Sequence, residues 1–336
     1  MTETPQTFIP WSSQETRTFH DALMIAEALY SAADDAAAHA GWMTWKKNAT
    51  GKEYLFHGKD RAGNGTLLGP RSTATEARYA EFQAAKTGAA ERVSKLRAQA
   101  TTQSKFIRAV RLNRMPRDAA KVLRFFERTA FADALLVIGT HALYAYETAA
   151  GGRFVPDSMA TRDVDLLWDA KKNLEVSLTI PEDKREGFLD VLHKIDKTFT
   201  VSAEQSFRVT SAQGLTVDFL MPEPDDGRKP KRGDKVRPRD GVRQTGIKEQ
   251  AWLLATPPLR QIVFSDDGYP VRLSVPQPTL FATHTLWVAD QKSRRAEKRD
   301  RDREQAHAVL ALLKDRLGDG TPVRRKLPPE LRAYFP

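Results

Sequence analysis

Three aspartates and a glycine–threonine pair are the residues of this chain most able to do chemistry together. Asp163 and Asp165 stand two apart in Thr161-Arg162-Asp163-Val164-Asp165-Leu166-Leu167. The stretch reads as a strand, and alternation along a strand puts both carboxylates on one face. Two like charges on one sheet face repel unless a cation lies between them. Mg²⁺, a hard ion held by carboxylates and substrate phosphates, suits the position. Upstream, Leu135-Leu136-Val137-Ile138 leads into Gly139-Thr140-His141 and a helix reaching about Ala150. Glycine lets the backbone approach a phosphate, Thr140 can cap the helix, and free N–H groups at a helix start attract anions. A phosphate cradle beside a metal pair is a design for nucleotidyl transfer, and it calls for a third carboxylate on a neighbouring strand. Leu215-Thr216-Val217-Asp218-Phe219-Leu220 supplies one, a single Asp in an apolar run.

The order Gly-Thr, then Asp-x-Asp, then a lone Asp on a later strand resembles the DNA polymerase beta superfamily of nucleotidyltransferases. Within it the chain resembles a little-characterised bacterial nucleotidyltransferase-fold family, with a more distant similarity to AbiEii-type toxin nucleotidyltransferases. Gly69-Pro70-Arg71-Ser72 with Thr75-Glu76 looks like an upstream signature of that family. Pro276 to Ala306 looks like its C-terminal helical part, with Arg301-Asp302 and Gln305-Ala306 matching a basic residue, an Asp and a Gln-Ala pair. The family tends to carry His-Lys-Leu in the preceding helix, whereas this chain has His284-Thr285-Leu286, so a phosphate contact from that Lys has no counterpart.

The resemblance implies an α/β (α+β) fold, a polymerase-beta-like mixed sheet with helical N-terminal and C-terminal regions. It implies two Mg²⁺ ions, or Mn²⁺, on Asp163, Asp165 and Asp218, with Asp218 sharing the metal that activates the acceptor hydroxyl. It implies an NTP whose phosphates rest on Gly139, Thr140 and nearby N–H groups. Arg71 and Lys298 are further candidate nucleotide ligands. The products are a nucleoside monophosphate ester and pyrophosphate.

The whole chain sets the bounds. Its 336 residues suffice for two or three folded units. We expect a mostly helical region with a small hairpin over 1–130, a catalytic core over 131–275, and a helical region over 276–336. A 40% hydrophobic and 29% charged composition is that of an ordinary soluble protein. A net charge of +10 and a pI near 9.7 favour a polyanionic partner such as RNA. The absence of Cys excludes disulfides, thiolate metal sites and Cys nucleophiles. No apolar run approaches the roughly 20 residues that span a membrane. Met1 to Pro10 lacks the pattern of a signal peptide, so a cytoplasmic, bacterial-style protein is expected.

The elements that must position the site follow from periodicity. Ser12 to Ala40 reads as a helix, Trp42–Trp45 and Glu53–Phe56 as a hairpin, and Thr73 to Asn113 as a long helix with an interruption at Gly88. Gly63-Asn64-Gly65 resembles a fragment of a phosphate loop without the full spacing, and reads as a turn. A helix from Pro116 to Ala130 precedes the core. After Asp163–Trp168 come strand Leu174–Ile180, a helix from Pro181, short strands Phe199–Ser202 and Phe207–Val209, and the Asp218 strand. Together these predict a mixed sheet covered on one side. Residues 222–249 read as a basic loop able to clamp a polyanion or a triphosphate. Leu259–Leu273 reads as a hairpin turning at Asp266-Asp267-Gly268. Helices follow at Leu280–Ala289 and Lys292–Leu317.

Other reactive residues read more plainly. His141, His193 and His284 read as packing histidines, and His20, His39, His57 and His307 have no metal-ligand spacing. Ser158 has no His-Asp arrangement around it. Trp42, Trp45, Trp252 and Trp287 read as core. The basic face at Arg92–Arg114 is either solvated or strand-tracking, and Lys292, Arg294, Arg295, Lys298 and Arg299 are either a solvated face or a contact for an incoming triphosphate or RNA end. The leading expectation is NMP transfer to RNA, such as a tRNA 3′ end, with a toxin-like role and a protein antitoxin by analogy. Alternatives are transfer to a small molecule such as an aminoglycoside, transfer to a protein side chain (AMPylation), and a non-catalytic nucleotide- or RNA-binding module.

Overall fold

The computed structural model describes residues 8–59, 63–129, 131–155, 159, 161–169, 187–223, 242, 245–247, 250–292, 294–318, 327 and 329–336. It comprises two compact units, residues 17–110 and residues 1–16 with 111–336. The chain starts with strand β1 (Phe8–Pro10) and helix α1 (Ser13–Ala38). Ser12 and Glu15 cap α1 reciprocally: the Glu15 amide donates to Ser12 Oγ at 3.2 Å and the Ser12 amide to Glu15 Oε2 at 2.7 Å.

The smaller unit is a three-stranded antiparallel sheet, β2 (Trp42–Lys47), β3 (Glu53–Gly58) and β4 (Gly65–Pro70), packed on helix α2 (Thr73–Ala109). Trp45 meets Tyr79 and His57 meets Phe82 across that contact. Gly63 and Asn64 lie in the connection between β3 and β4, Gly63 at φ +84°, as the turn reading expects, and β4 begins at Gly65. Gly65 pairs with Gly58, and a side chain there would collide with the Phe56 ring, so glycine permits this strand rather than breaking it. α2 also runs unbroken through Gly88 for 37 residues. Ser72 caps it by accepting from the Thr75 amide, and the Ser72 amide donates in turn to the Thr75 hydroxyl.

The larger unit holds the candidate chemistry. In chain order its elements are β5 (Asn113–Met115), α3 (Arg117–Phe126), β6 (Leu135–Ile138), α4 (Leu143–Ala150), β7 (Gly152–Phe154) and β8 (Asp163–Trp168). Then come α5 (Phe188–His193), β9 (Thr200–Val201), β10 (Arg208–Thr210), β11 (Thr216–Pro222), β12 (Thr245–Ile247), β13 (Leu259–Ser265) and β14 (Pro270–Val275). Helices α6 (Pro278–Asp290), α7 (Ala296–Leu312) and α8 (Pro329–Arg332) complete it. Gly151 ends α4 in the left-handed conformation, φ 67°, where glycine carries no Cβ penalty. The Pro181 helix start, the 174–180 strand and Ser158 lie outside the described residues. So does most of 222–249. Within that expected loop, however, residues 245–247 form β12, a parallel partner of the end of β11.

The central sheet runs β6-β8-β11-β10-β9. β8 and β11 are parallel and the other neighbours along that path antiparallel. Alternation sorts its side chains. Leu135, Val137, Val164, Leu166, Trp168, Val217 and Phe219 enter the main core with α3, α4 and α5. Phe188 stacks on Phe219 there, centroids 4.2 Å apart. Leu136, Ile138, Leu167 and Leu220 face the other way, into a second core with Leu253, Leu280, Leu327 and Leu331. This corrects the one-sided expectation. β6, β8 and β11 carry apolar residues at both parities, so both faces need cover. No described helix is long and apolar enough to cross a membrane.

Candidate active site

The sheet register assembles the site. Asp218 is the parallel partner of Asp165, Thr216 of Asp163, and Ile138 is the antiparallel partner of Asp165. Arg208 on β10 is the antiparallel partner of Asp218. Residues directly opposite across strands share a face. One row therefore crosses four strands: Ile138, Asp165, Asp218, Arg208. Asp163 lies on the same face of β8, two residues before Asp165. It is the face of the second core, so the acids occupy the end of a sheet face whose other positions, Leu167 and Leu220, are buried.

Burial and charge make this row tense. Asp165 is pushed up to about 7, first by burial, then by the charges of Asp218 and Asp163, with Lys298 and Arg208 opposing. Asp165 thus feels the charge of both other carboxylates. Arg208 holds the buried Asp218 through two hydrogen bonds, Nε to Oδ1 at 2.8 Å and Nη2 to Oδ2 at 2.6 Å. In this arrangement, no three Asp, Glu or His side chains among the described residues close into a ligand cluster for a metal ion. The donor set nonetheless suits a hard divalent cation: carboxylate oxygens of one sign on one face, with too little positive charge to balance them.

The Gly139–Ala142 turn stands beside the acids. It is one turn of 3-10 helix, and α4 starts only at Leu143. Gly139 has φ +63°, and a Cβ built there would lie 2.5 Å from Asp165 Oδ2. The close approach and the left-handed backbone both require glycine. Thr140 does not cap α4, whose N-cap is Ala142. Its hydroxyl is buried and instead accepts a hydrogen bond from Gln305 Nε2 on α7 at 3.1 Å. His141 is buried behind the turn and pushed down to about 4 by that burial, so it is neutral near pH 7, a packing residue as its position suggests.

α7 supplies the cations. The half-buried Lys298 offsets the charge of Asp165. Four residues on, Asp302 is buried and pairs with Arg294 at 2.6 Å. Arg71 belongs to the other unit. Its Nη1 donates to Glu53 at 2.6 Å and its Nε to Glu76 at 2.7 Å, and the guanidinium lies over Trp45. In the same Gly69-Pro70-Arg71-Ser72 stretch, Ser72 serves as the N-cap of α2, its hydroxyl accepting from the Thr75 amide at 3.3 Å.

Sequence reasoning passed over Arg208 and assigned Gln305 no role. Both had a signal. The 208–210 and 216–218 strands flank a short turn, and hairpin register puts Arg208 opposite Asp218. Gln305 follows Lys298 and Asp302 at helical spacing on one face.

A family model described as nucleotidyltransferase matches residues 117–322, well over half of the chain. The chain belongs to that family. Searches of curated proteins and of solved structures each returned no match. This nucleotidyltransferase is thus an enzyme that transfers nucleotides, and NTP is its implied substrate. The matched span includes the whole row, the Gly139 turn and α7, and excludes the smaller unit with Arg71. The mixed α/β architecture expected from the sequence is that of the enzyme.

Proposed function

We propose that this enzyme transfers a nucleoside monophosphate from an NTP to a hydroxyl of RNA, a tRNA 3′ end being the favoured acceptor. The observation that carries the reading is the in-register row of Asp165 and Asp218 beside the Gly139 turn, with Asp163 on the same face. In this reading the site resembles that of the DNA polymerase beta superfamily. Asp163, Asp165 and Asp218 would hold divalent ions, Mg²⁺ or Mn²⁺, whose charge offsets that on the attacking and leaving oxygens. Gly139 and Thr140 take the β- and γ-phosphates, and Lys298 adds a cation to them. The acceptor oxygen forms a bond to the α-phosphorus as the bond to the bridging oxygen breaks. Pyrophosphate leaves, and the hydroxyl proton passes to a carboxylate, with Asp218 the favoured receiver.

A net charge of +10 supports RNA as the acceptor. A cytoplasmic location, where NTP and RNA coexist, belongs to the same reading, as do a toxin-like role and a neutralising protein partner. The test is incubation with each labelled NTP, Mg²⁺ and total RNA, with Asp163→Asn alongside. Label in RNA, lost in the variant, is expected. Label in a small molecule or in protein would replace the acceptor, and RNA bound by both proteins without label would mark a binding module.

A further inference from the structure

Arg294, Lys298, Asp302 and Gln305 follow one another at spacings of four, four and three, so they line one side of α7 and its approach. Two of the four, Asp302 and Gln305, are buried. A buried carboxylate or amide is unfavourable unless its polar atoms are met. Arg294 meets Asp302. Gln305 Nε2 meets Thr140 Oγ1, 165 residues away in the chain. A long-range, buried bond between a late helix and the phosphate turn asks for a reason beyond packing.

The chemistry of a hydroxyl supplies one. Thr140 has one proton to give and two lone pairs to fill. Left to itself it could orient either way. An amide N–H on one lone pair removes that side as a destination for the proton. The proton is then directed away from Gln305, and the hydroxyl is left as a donor on its other side. Phosphate oxygens are acceptors only, so a hydroxyl already oriented to donate binds them without reorientation.

We infer that Gln305 is a positioning residue for nucleotide binding: its hydrogen bond to Thr140 commits the Thr140 proton to a phosphate oxygen of the incoming NTP. The inference rests on the nucleotidyl-transfer reading of this site. It adds a link between α7 and the turn that no residue of the acidic row provides. A hydrogen bond to a charged acceptor contributes enough that its loss weakens binding roughly ten- to a hundred-fold.

The test is a double-substitution cycle read by equilibrium dialysis of each Mg-NTP and by steady-state kinetics with the NTP that binds. Thr140→Val removes the hydroxyl and keeps the shape, and Gln305→Met removes the donor and keeps the length. Each single variant should weaken NTP binding roughly ten-fold or more and raise KM with kcat within about two-fold, since the contact exists before the chemical step. The double variant should bind no worse than Thr140→Val alone. A merely structural Gln305 would instead give additive losses, or would lower kcat and thermal stability together. Should Gln305→Met fail to fold, Gln305→Glu keeps the chain length but can only accept. Its loss must also shrink in the Thr140→Val background. Wild-type binding in the Gln305 variants beside weakened Thr140→Val overturns the inference and leaves the site reading standing. A wild-type protein that binds none of the four nucleotides overturns both.

Discussion

Arg208 grips Asp218 with both ends of its guanidinium, at 2.8 and 2.6 Å, on the strand next to Asp165. The pair sets a cation where the acidic row most needs one. Removing one partner of a buried pair leaves the other charged and unmet, at a cost of about 3 kcal/mol. Arg208→Ala should therefore lower the melting temperature in chelator. If the acids bind divalent ions, millimolar Mg²⁺ should raise the melting temperature of the variant more than that of the wild type. A variant that melts identically with and without Mg²⁺ would speak against a metal on this row.

Asp165 is the most strained member of the row, since burial, Asp218 and Asp163 all oppose its charge. Asp165→Asn keeps the shape and removes the repulsion. At pH 8 in chelator the variant should be more stable than wild type by roughly 1–3 kcal/mol, read as the midpoint of urea unfolding. The same variant should lose nucleotidyl transfer. Lower stability in chelator would mean that the carboxylates are not in conflict.

Gly139 and Gly151 offer a matched pair. Both have positive φ, +63° and +67°. An alanine Cβ at Gly139 would press on Asp165, whereas at Gly151 the nearest atom it meets is on Trp11, 3.9 Å away. Both substitutions carry backbone strain of about 1 kcal/mol. Only Gly139→Ala should also displace a carboxylate of the site and reduce turnover by about 100-fold or more. Equal turnover in the two variants would show that the tight approach at Gly139 has no catalytic consequence.

Stability should depend on pH through two buried histidines. Burial pushes His141 and His284 down to about 4 from an ordinary value near 6.5. Between these values the unfolded chain binds protons that the folded chain refuses. Their full contribution is thus present above about pH 6.5 and is lost as pH falls toward 4, by roughly 3 kcal/mol each. Protonation of Asp165 opposes this loss over the same range, so urea midpoints should be measured from pH 7.5 to 4.5 in the Asp165→Asn background, where they should fall steeply. The fall should be shallower when either residue is replaced by Asn, and an unchanged slope would mean the ring is protonated in the fold.

Much of this site was legible because its signals are local. Leu135–Ile138 and Asp163–Trp168 are strands at the predicted bounds, since short apolar runs flanked by turn residues leave few alternatives. Asp218 was found by asking what the acid pair requires, and parallel pairing puts it on the expected face. Three things were harder to read. β4 was hidden because glycine signals turns more often than close strand packing. Thr140 looked like a cap because a Gly-Thr step before an apolar run is what caps resemble, while its actual partner lies on a helix far along the chain. The second core was hidden because both faces of β6, β8 and β11 are covered, partly by residues after Leu253 that no local window reaches.

The parallel pairing of β8 with β11 has a consequence for biosynthesis. Antiparallel neighbours can join through a tight bend, but parallel ones wait for the whole crossover between them. Asp163 and Asp165 leave the ribosome long before Asp218, and Lys298 and Gln305 later still. A nascent chain halted before α7 carries the acids without the helix that braces the turn. The bond from Gln305 to Thr140 and the Lys298 charge near Asp165 are therefore made only after the acidic row itself has been synthesised.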